Sequence, residues 1–263
     1  MKFNVAPDAR PQLKTLLIAT ALSIVLWFIP FAEYLIYPIR LFVTFIHEGC
    51  HILASLVTNS AIYSLTVSPD ASGAVLAAPE TTVASLLISS AGYVGTSAFG
   101  VMLLILIRRA VQARIVLAAT AGFIALLSLI FGLALPAWNF TRAEVSVFSI
   151  AFTVISGLLI SGGLVALARY GSARVASFFL SFLAVQCLLN ALFDLKTVLI
   201  MHSPFSASHV QTDAANMAAA TGVPGMFWVI AWIGISIVLV SIGLRFYAVR
   251  RESRLQQDLP FED

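Results

Sequence analysis

The feature that most constrains this chain is a series of seven apolar runs, each close to the length that crosses a bilayer. A spanning helix needs about 20 such residues. Short polar segments separate the runs, which cover roughly residues 13–30, 35–58, 82–107, 113–135, 145–168, 174–201 and 225–248. A chain built this way cannot bury its apolar surface in a globule that faces water, so we predict a polytopic membrane protein.

The composition agrees with this prediction. Of 263 residues, 60% are hydrophobic and 10% are charged, whereas a soluble domain carries about 25% charged residues. The net charge of +3 comes from basic residues in the short segments between runs, where they act as topology signals. We therefore expect the lipid bilayer, and no nucleic acid, as a partner. Cys50 and Cys187 both lie in apolar runs, which predicts buried thiols without a disulfide framework.

The segment between the second and third runs has a different pattern. It reads "IYSLTV", then the turn-rich "SPDASG", then "AVLA", which is typical of a β-hairpin. An open sheet edge cannot face lipid, so we predict a re-entrant or interfacial hairpin at 61–79. The whole chain, 1–263, is then a single all-α integral membrane domain with six or seven transmembrane helices, this hairpin, and a polar tail at 249–263.

The basic clusters leave the number of crossings open. They lie at Lys2–Lys14, Arg108–Arg114, Arg169–Arg174 and Arg245–Arg254, and the positive-inside rule places all four in the cytoplasm. The last four runs alternate in agreement with the rule, but the first three do not, because a start and finish on one side needs an even number of crossings. Either the helix with His47 is re-entrant together with its hairpin, or one cluster breaks the rule.

The second run contains a motif with the chemistry of a metal site. His47, Glu48 and His51 form His-Glu-x-x-His, and on a helix the two imidazoles lie one turn apart on the same face. Two histidines so placed can bind Zn²⁺, and the glutamate can act as general base on a metal-bound water. Polar groups inside an apolar helix are costly and usually functional. The alternative is a structural polar cluster bonded to neighbouring helices.

A catalytic zinc usually takes three protein ligands, so a third ligand is expected elsewhere at membrane depth. The sixth run carries a polar stripe of Gln186, Asn190 and Asp194, at positions i, i+4 and i+8. Asp194 is its carboxylate, and we predict it as the third ligand. Asn190 is a candidate to bind the substrate carbonyl or backbone, and Gln186 is interpreted as structural. The alternative is that the stripe packs helices through hydrogen bonds.

Two further patterns carry weaker predictions. In the polar segment "HSPFSASHVQTDAANMAAATGVP", His209 and Asp213 lie at i, i+4; they could support the metal ligands, form a gate, or belong to a solvated loop, which is the interpretation we favour. Together with His202 they are also the next candidates for the third ligand. Glycines in "AGYVGTSAFG" predict close helix approach, which is a packing role.

These motifs together resemble the site-2 protease family of intramembrane zinc metalloproteases, in particular its compact bacterial branch. The resemblance rests on "FIHEGCH" in an early helix, the turn-rich hairpin and an aspartate in a late helix, and it covers about residues 35–235. It implies a zinc cofactor, His47, His51 and Asp194 as ligands, Glu48 as base, and a hairpin strand that pairs with an unwound substrate. The sequence departs from the family where Leu195 follows Asp194 and where the Asn-x-x-Pro element is missing, which puts the role of Asn190 in question.

The resulting hypothesis is an intramembrane zinc metalloendopeptidase that hydrolyses a peptide bond in or near a transmembrane segment of a membrane protein substrate. We expect it in a bacterial inner membrane, and a separate adaptor is a candidate partner because no soluble sensing domain is evident. One alternative is a non-catalytic scaffold or partner-binding protein on the same fold. Another is a transporter, against which stands the lack of paired halves in the sequence.

Overall fold

The computed structural model of the chain describes residues 10–26, 28–142, 145–202 and 211–248. The described part is almost entirely helical and contains one small sheet. A π-helical segment, Leu127–Ala134, joins two of its helices. The elements in chain order are α1 Arg10–Leu26, α2 Ala32–Val57, β1 Ala61–Val67, β2 Gly73–Ala78, α3 Thr82–Arg108, α4 Ala113–Leu126, α5 Leu135–Trp138, α6 Val147–Tyr170, α7 Ala173–Met201, α8 Asp213–Thr221 and α9 Gly225–Ala248.

Six stretches of the described chain are long and apolar enough to cross a membrane. Each contains 18 consecutive residues with high mean hydropathy and at most two charged residues. Helix α1 is not among them, because its apolar part, Leu13–Leu26, is shorter than 18 residues. The prediction of an all-α membrane protein with six to seven spanning helices and a hairpin is confirmed. The six stretches are Ala32–Val57, Thr82–Arg108, Ala113–Trp138, Val147–Tyr170, Ala173–Met201 and Gly225–Phe246.

The six candidate spans make the number of crossings even. With six crossings, the start of α2 and the end of α9 lie on one side, and so do the connections that follow α3 and α6. Arg108–Arg114 and Arg169–Arg174 occupy those two connections, so these two clusters share that side, as the positive-inside rule requires. Most of the N-terminal and C-terminal clusters lies outside the described residues.

Several helices begin where the sequence offers a capping side chain. Thr81 accepts a hydrogen bond from the backbone nitrogen of Ala84 at the start of α3, and Thr212 does the same for Ala215 at the start of α8. Such caps satisfy backbone donors that have no partner inside the helix. The short helix α8 is therefore specified locally, although it is far too short to span a membrane.

Helix α3 lies at the centre of the bundle, where small residues let its neighbours approach closely. A Cβ atom added at Gly95 would lie 2.6 Å from the sulfur of Cys50 on α2, and one added at Gly100 would lie 2.7 Å from Leu188 on α7. This is the close approach that the glycines predict. Because α2 and α7 both pack on α3, side chains from several helices can meet beside it.

The hairpin runs back along α2. Its strands pair antiparallel, with Leu65 opposite Val75 and an irregularity between Ile62 and Ser64. The turn is held by α2, because Tyr37 donates a hydrogen bond to the carbonyl of Pro69 and Thr44 donates one to the carbonyl of Ala71, each at 2.6 Å. The hairpin therefore lies alongside a spanning helix.

The two edges of the sheet have different surroundings. At the outer edge of β1, the backbone nitrogen of Val67 donates a hydrogen bond of 2.8 Å to the hydroxyl of Thr153 on α6, and both residues are fully buried. The residues of β2 are exposed or half-buried, and they line the cavity described below. The protein therefore covers one edge of the sheet and leaves the other open toward that cavity.

Thr153→Val is expected to destabilise the protein by about 1–3 kcal/mol, because it leaves the buried nitrogen of Val67 without its acceptor. Unfolding free energies in detergent would measure this. The matched control is Thr120→Val, since Thr120 is also buried but bonds only to the carbonyl of Val116 in its own helix. Equal stability of the two variants would contradict the anchoring role of Thr153.

Candidate metal centre

Helix α2 presents the His-Glu-x-x-His motif to the interior. Glu48 and His51 are 4% and 5% exposed, His47 is half-buried, and the two imidazole rings lie 4.8 Å apart between centroids. The Nδ1 atom of His51 lies 2.7 Å from the carbonyl oxygen of Ile88 on α3. Because a carbonyl only accepts, Nδ1 carries the proton and Nε2 has a free lone pair. Metal-binding histidines are commonly oriented in this way.

Asp213 meets both imidazoles. Its Oδ2 atom lies 3.4 Å from Nε2 of His47 and 3.3 Å from Nε2 of His51. The three possible ligand atoms all lie within 4.8 Å of one another. A tetrahedral zinc site with bonds of about 2.0–2.2 Å places its ligand atoms roughly 3.3–3.6 Å apart, so these two distances fit a shared metal ion. A His₂-carboxylate set is one that catalytic zinc uses.

Asp213 is held as a carboxylate by its neighbours. Burial alone would raise the pKa of Asp213, but without a metal ion the positive charges of protonated His51 and His47 beside its carboxylate lower that pKa below its ordinary value. The ionised form is the one that binds a cation.

The position of Asp213 depends on contacts at the start of α8. Thr212 caps this helix, and its hydroxyl lies 3.2 Å from Nε2 of His202, whose Nδ1 atom lies 3.0 Å from the carbonyl of Val198 on α7. His202 thus connects the end of α7 to the residue before Asp213. His202 is therefore not one of the three possible metal ligands, but it helps to position Asp213.

Gly92 forms one wall of the site. A Cβ atom at this position would lie 2.2 Å from Nε2 of His47 and 2.5 Å from Nε2 of His51, which is close to the bond length between zinc and a histidine nitrogen. The absent side chain thus leaves open the space in front of both nitrogens. Gly92 therefore allows the close approach predicted for the glycines of α3, and here the approaching atoms are two possible metal-binding nitrogens.

The predicted third ligand lies elsewhere. Asp194 is not among the group that the described residues form with the two histidines, which contains Asp213 instead. Asp194 lines a second cavity together with His47, Glu48 and Asn190. The physical reason is that α8 folds back over the histidines, whereas α7 presents Asp194 to a different cavity. The solvated loop that the sequence favoured for Asp213 is wrong, since this residue begins a helix and contacts both imidazoles.

The remaining predicted residues have other surroundings. The side-chain amide of Asn190 donates to Gln186, to its backbone oxygen at 2.9 Å and its side-chain oxygen at 3.3 Å. Its donors are therefore used within its own helix. Gln186 is buried, in keeping with a structural role. His209 and the polar tail at 249–263 lie outside the described residues.

Two cavities meet at the motif. The first has a volume of about 770 Å³ and is lined by the motif, by β2 and by α8. The second, of about 430 Å³, lies toward α7. His47, Glu48, Gly73 and Tyr93 line both. A Cβ atom at Gly73 would lie 2.6 Å from Oε1 of Glu48, so the strand begins directly against the predicted base.

Comparison of the sequence with known families identifies a known group. The sequence model of the family described as Peptidase M50B-like matches residues 15–243, most of the chain. The chain belongs to this family. Searches among curated proteins and among solved structures find no match.

Membership confirms the resemblance to the site-2 protease family, of which the M50B-like peptidases are part. The chain is accordingly a membrane peptidase, a hydrolase, by family. The six long apolar helices among the described residues agree with an integral membrane protein. The His-His-Asp group provides a possible metal site of the kind that a metalloprotease needs.

Proposed function

We propose that this M50B-like peptidase is an intramembrane zinc endopeptidase, with His47, His51 and Asp213 as metal ligands and Glu48 as general base. The observation that carries the proposal is the meeting of Asp213 with both Nε2 atoms at 3.3–3.4 Å, with the buried carboxylate of Glu48 beside them. The bound metal would supply a Lewis acid for the scissile carbonyl and for the attacking water.

The residues of the chain account for the movement of protons. Glu48 accepts a proton as the water oxygen bonds to the carbonyl carbon, and it returns that proton to the amide nitrogen as the carbon–nitrogen bond breaks. The products are a carboxylic acid and an amine, so atoms and charge balance. Glu48 lines both cavities, which lets it reach the water and the leaving nitrogen.

The open edge of β2 supports an extended peptide as substrate. A peptide that adds as a strand to β2 forms main-chain hydrogen bonds with it. An unwound segment needs such bonds in an apolar environment, because its backbone groups have no partners there. The strand carries only small and aliphatic residues, "GAVLAA", and these suit an apolar partner. The substrate in this proposal is a transmembrane segment of another membrane protein, unwound against β2.

Further parts of the proposal rest on the sequence. We place the protein in a bacterial inner membrane as a single integral membrane domain, with the lipid bilayer and a membrane protein substrate as partners and an adaptor as a candidate recruiter. The non-catalytic alternative arose from the departures around Asp194. In the present proposal Asp213 fills the role of third ligand, so those departures no longer argue against catalysis.

Glu48→Gln is expected to lower the cleavage rate by about 10²–10⁴-fold, because glutamine cannot accept the proton. Metal content should stay at the wild-type level, since Glu48 is not a ligand here. The assay is cleavage of a solubilised membrane protein that the wild type cuts, with metal measured on the same samples. The matched control is Glu33→Gln, a change to an exposed glutamate at the start of the same helix, which should keep full activity. Full cleavage by Glu48→Gln would remove the proposal.

A further inference from the structure

In the proposed reaction the metal would polarise the scissile carbonyl, and a hydrogen-bond donor beside it would further stabilise the carbonyl oxygen. When water adds to a peptide carbonyl, its oxygen gains negative charge, and enzymes place donors where that charge develops. Asn190 was the candidate from sequence. Its amide instead donates to Gln186 within α7, so the donor must come from another residue beside Glu48.

Tyr93 is held rigidly at this place. It follows Gly92 on α3, and its ring lies 4.7 Å from that of His47 in an edge-on arrangement. On its other side it stacks on Trp232 of α9, with centroids 5.4 Å apart. Trp232 is fixed in turn, because its Nε1 atom donates to the hydroxyl of Ser90 at 3.0 Å. The ring is thus fixed between a metal ligand and a buried tryptophan.

The hydroxyl group of Tyr93 is free to donate. The residue is only 8% exposed, yet among the residues that the structure describes no hydrogen-bond partner of its hydroxyl is found. Tyr93 lines both cavities at the point where they meet. The carboxylates of Glu48, Asp194 and Asp213 are all close enough to interact with it electrostatically. Among the described residues the hydroxyl is not one of the fully buried polar atoms that lack a partner, so it is accessible, and the space beside it is the reaction cavity.

We propose that Tyr93 is a catalytic residue whose hydroxyl donates a hydrogen bond to the carbonyl oxygen of the scissile peptide as that oxygen becomes negative. This role rests on the proposed endopeptidase function and adds a residue to it. Tyr93 keeps its proton throughout, and the proton that moves passes from water to Glu48 and then to the leaving nitrogen. The phenol therefore stabilises the transition state without gaining or losing a proton.

The first test is Tyr93→Phe, which removes the hydroxyl and keeps the ring. Loss of one such donor typically costs about 10²–10³-fold in kcat, and we expect this loss with KM, metal content and melting temperature near wild-type values. Tyr170→Phe, at a residue that is 80% exposed, is the control and should leave kcat unchanged. A kcat for Tyr93→Phe within about twofold of wild type would overturn the role.

A second measurement separates a catalytic role from a structural one. A phosphinic peptide carries a tetrahedral, negatively charged centre that resembles the transition state, and Tyr93→Phe should bind it on the order of 10–100-fold more weakly than wild type does. Binding of the parent peptide, measured in the Glu48→Gln background, should not change. Equal weakening for both peptides, or loss of metal or thermal stability in Tyr93→Phe, would assign a structural role and overturn the proposal. A wild type without any turnover would remove the endopeptidase function itself, and the role of Tyr93 with it.

Discussion

Gly92→Ala is expected to abolish metal binding and proteolysis together. The added methyl carbon would lie 2.2 Å and 2.5 Å from the Nε2 atoms of His47 and His51. It would therefore occupy the space that a shared metal ion needs, at about the length of a zinc–nitrogen bond. We expect metal per polypeptide to fall from about one to near zero, measured by elemental mass spectrometry, and cleavage to fall below detection.

Two glycine controls separate this effect from general damage. Gly100→Ala, on the same helix, would bring its methyl carbon within 2.7 Å of Leu188, far from the motif, so it should lower stability and retain metal. Gly122→Ala has no atom within 4 Å of the added carbon and should behave as wild type. Retention of metal and activity by Gly92→Ala would show that the metal does not lie between the two histidines and α3.

The second large effect is expected at Asp213. Asp213→Ala removes the only carboxylate in the described group around both Nε2 atoms. Losing a residue that merely orients a ligand typically costs about 10–100-fold in metal affinity, and losing a direct ligand should cost more. A competition titration with a metal chelator on the purified protein would measure this loss.

Asp194→Ala is the matched control for Asp213→Ala. Both changes remove an aspartate beside His47, but Asp194 lines only the second cavity, outside the group of possible ligands. We expect Asp194→Ala to keep a metal affinity close to that of wild type. If instead Asp194→Ala lost the metal and Asp213→Ala kept it, the ligand assignment from sequence would hold and the present one would fail.

The sequence was sufficient where local rules decide the structure. The spacing of His47 and His51 puts both on one helical face regardless of what surrounds that helix, and the structure keeps them so. Turn residues between two β-prone stretches specify the hairpin in the same local way. The length of the apolar runs determines how many can span a bilayer, which is why the prediction of six to seven spanning helices agrees with the six among the described residues.

The position of Asp213 beside the two histidines could not be found by such rules, because this residue comes from a distant element whose place depends on packing. Asp194 lies in a long apolar helix, where a carboxylate is costly and therefore indicates a function. Asp213 lies in a polar connection, where a carboxylate is ordinary. The signal for α8 was the capping pattern, Thr212 followed by Asp213 and a run rich in alanine. That pattern predicts a helix, but where the helix docks depends on contacts such as the one between Thr212 and His202.

The positions of Gly92 and Tyr93 beside His47 could not be predicted for a similar reason. A glycine in a helix pattern indicates that something approaches closely, and here the approaching atoms are imidazole nitrogens instead of another helix backbone. A tyrosine in an apolar run is interpreted as a core residue unless the structure shows that its hydroxyl lacks a hydrogen-bond partner. Both assignments need the three-dimensional arrangement of α2, α3 and α9.

The most direct test of the central claim is the amount of zinc in the purified wild-type protein, expressed with sufficient metal and measured by elemental mass spectrometry. The His47–His51–Asp213 group predicts about one zinc per polypeptide, retained in Glu48→Gln. Absence of zinc from the folded wild type under these conditions would contradict the metalloprotease account.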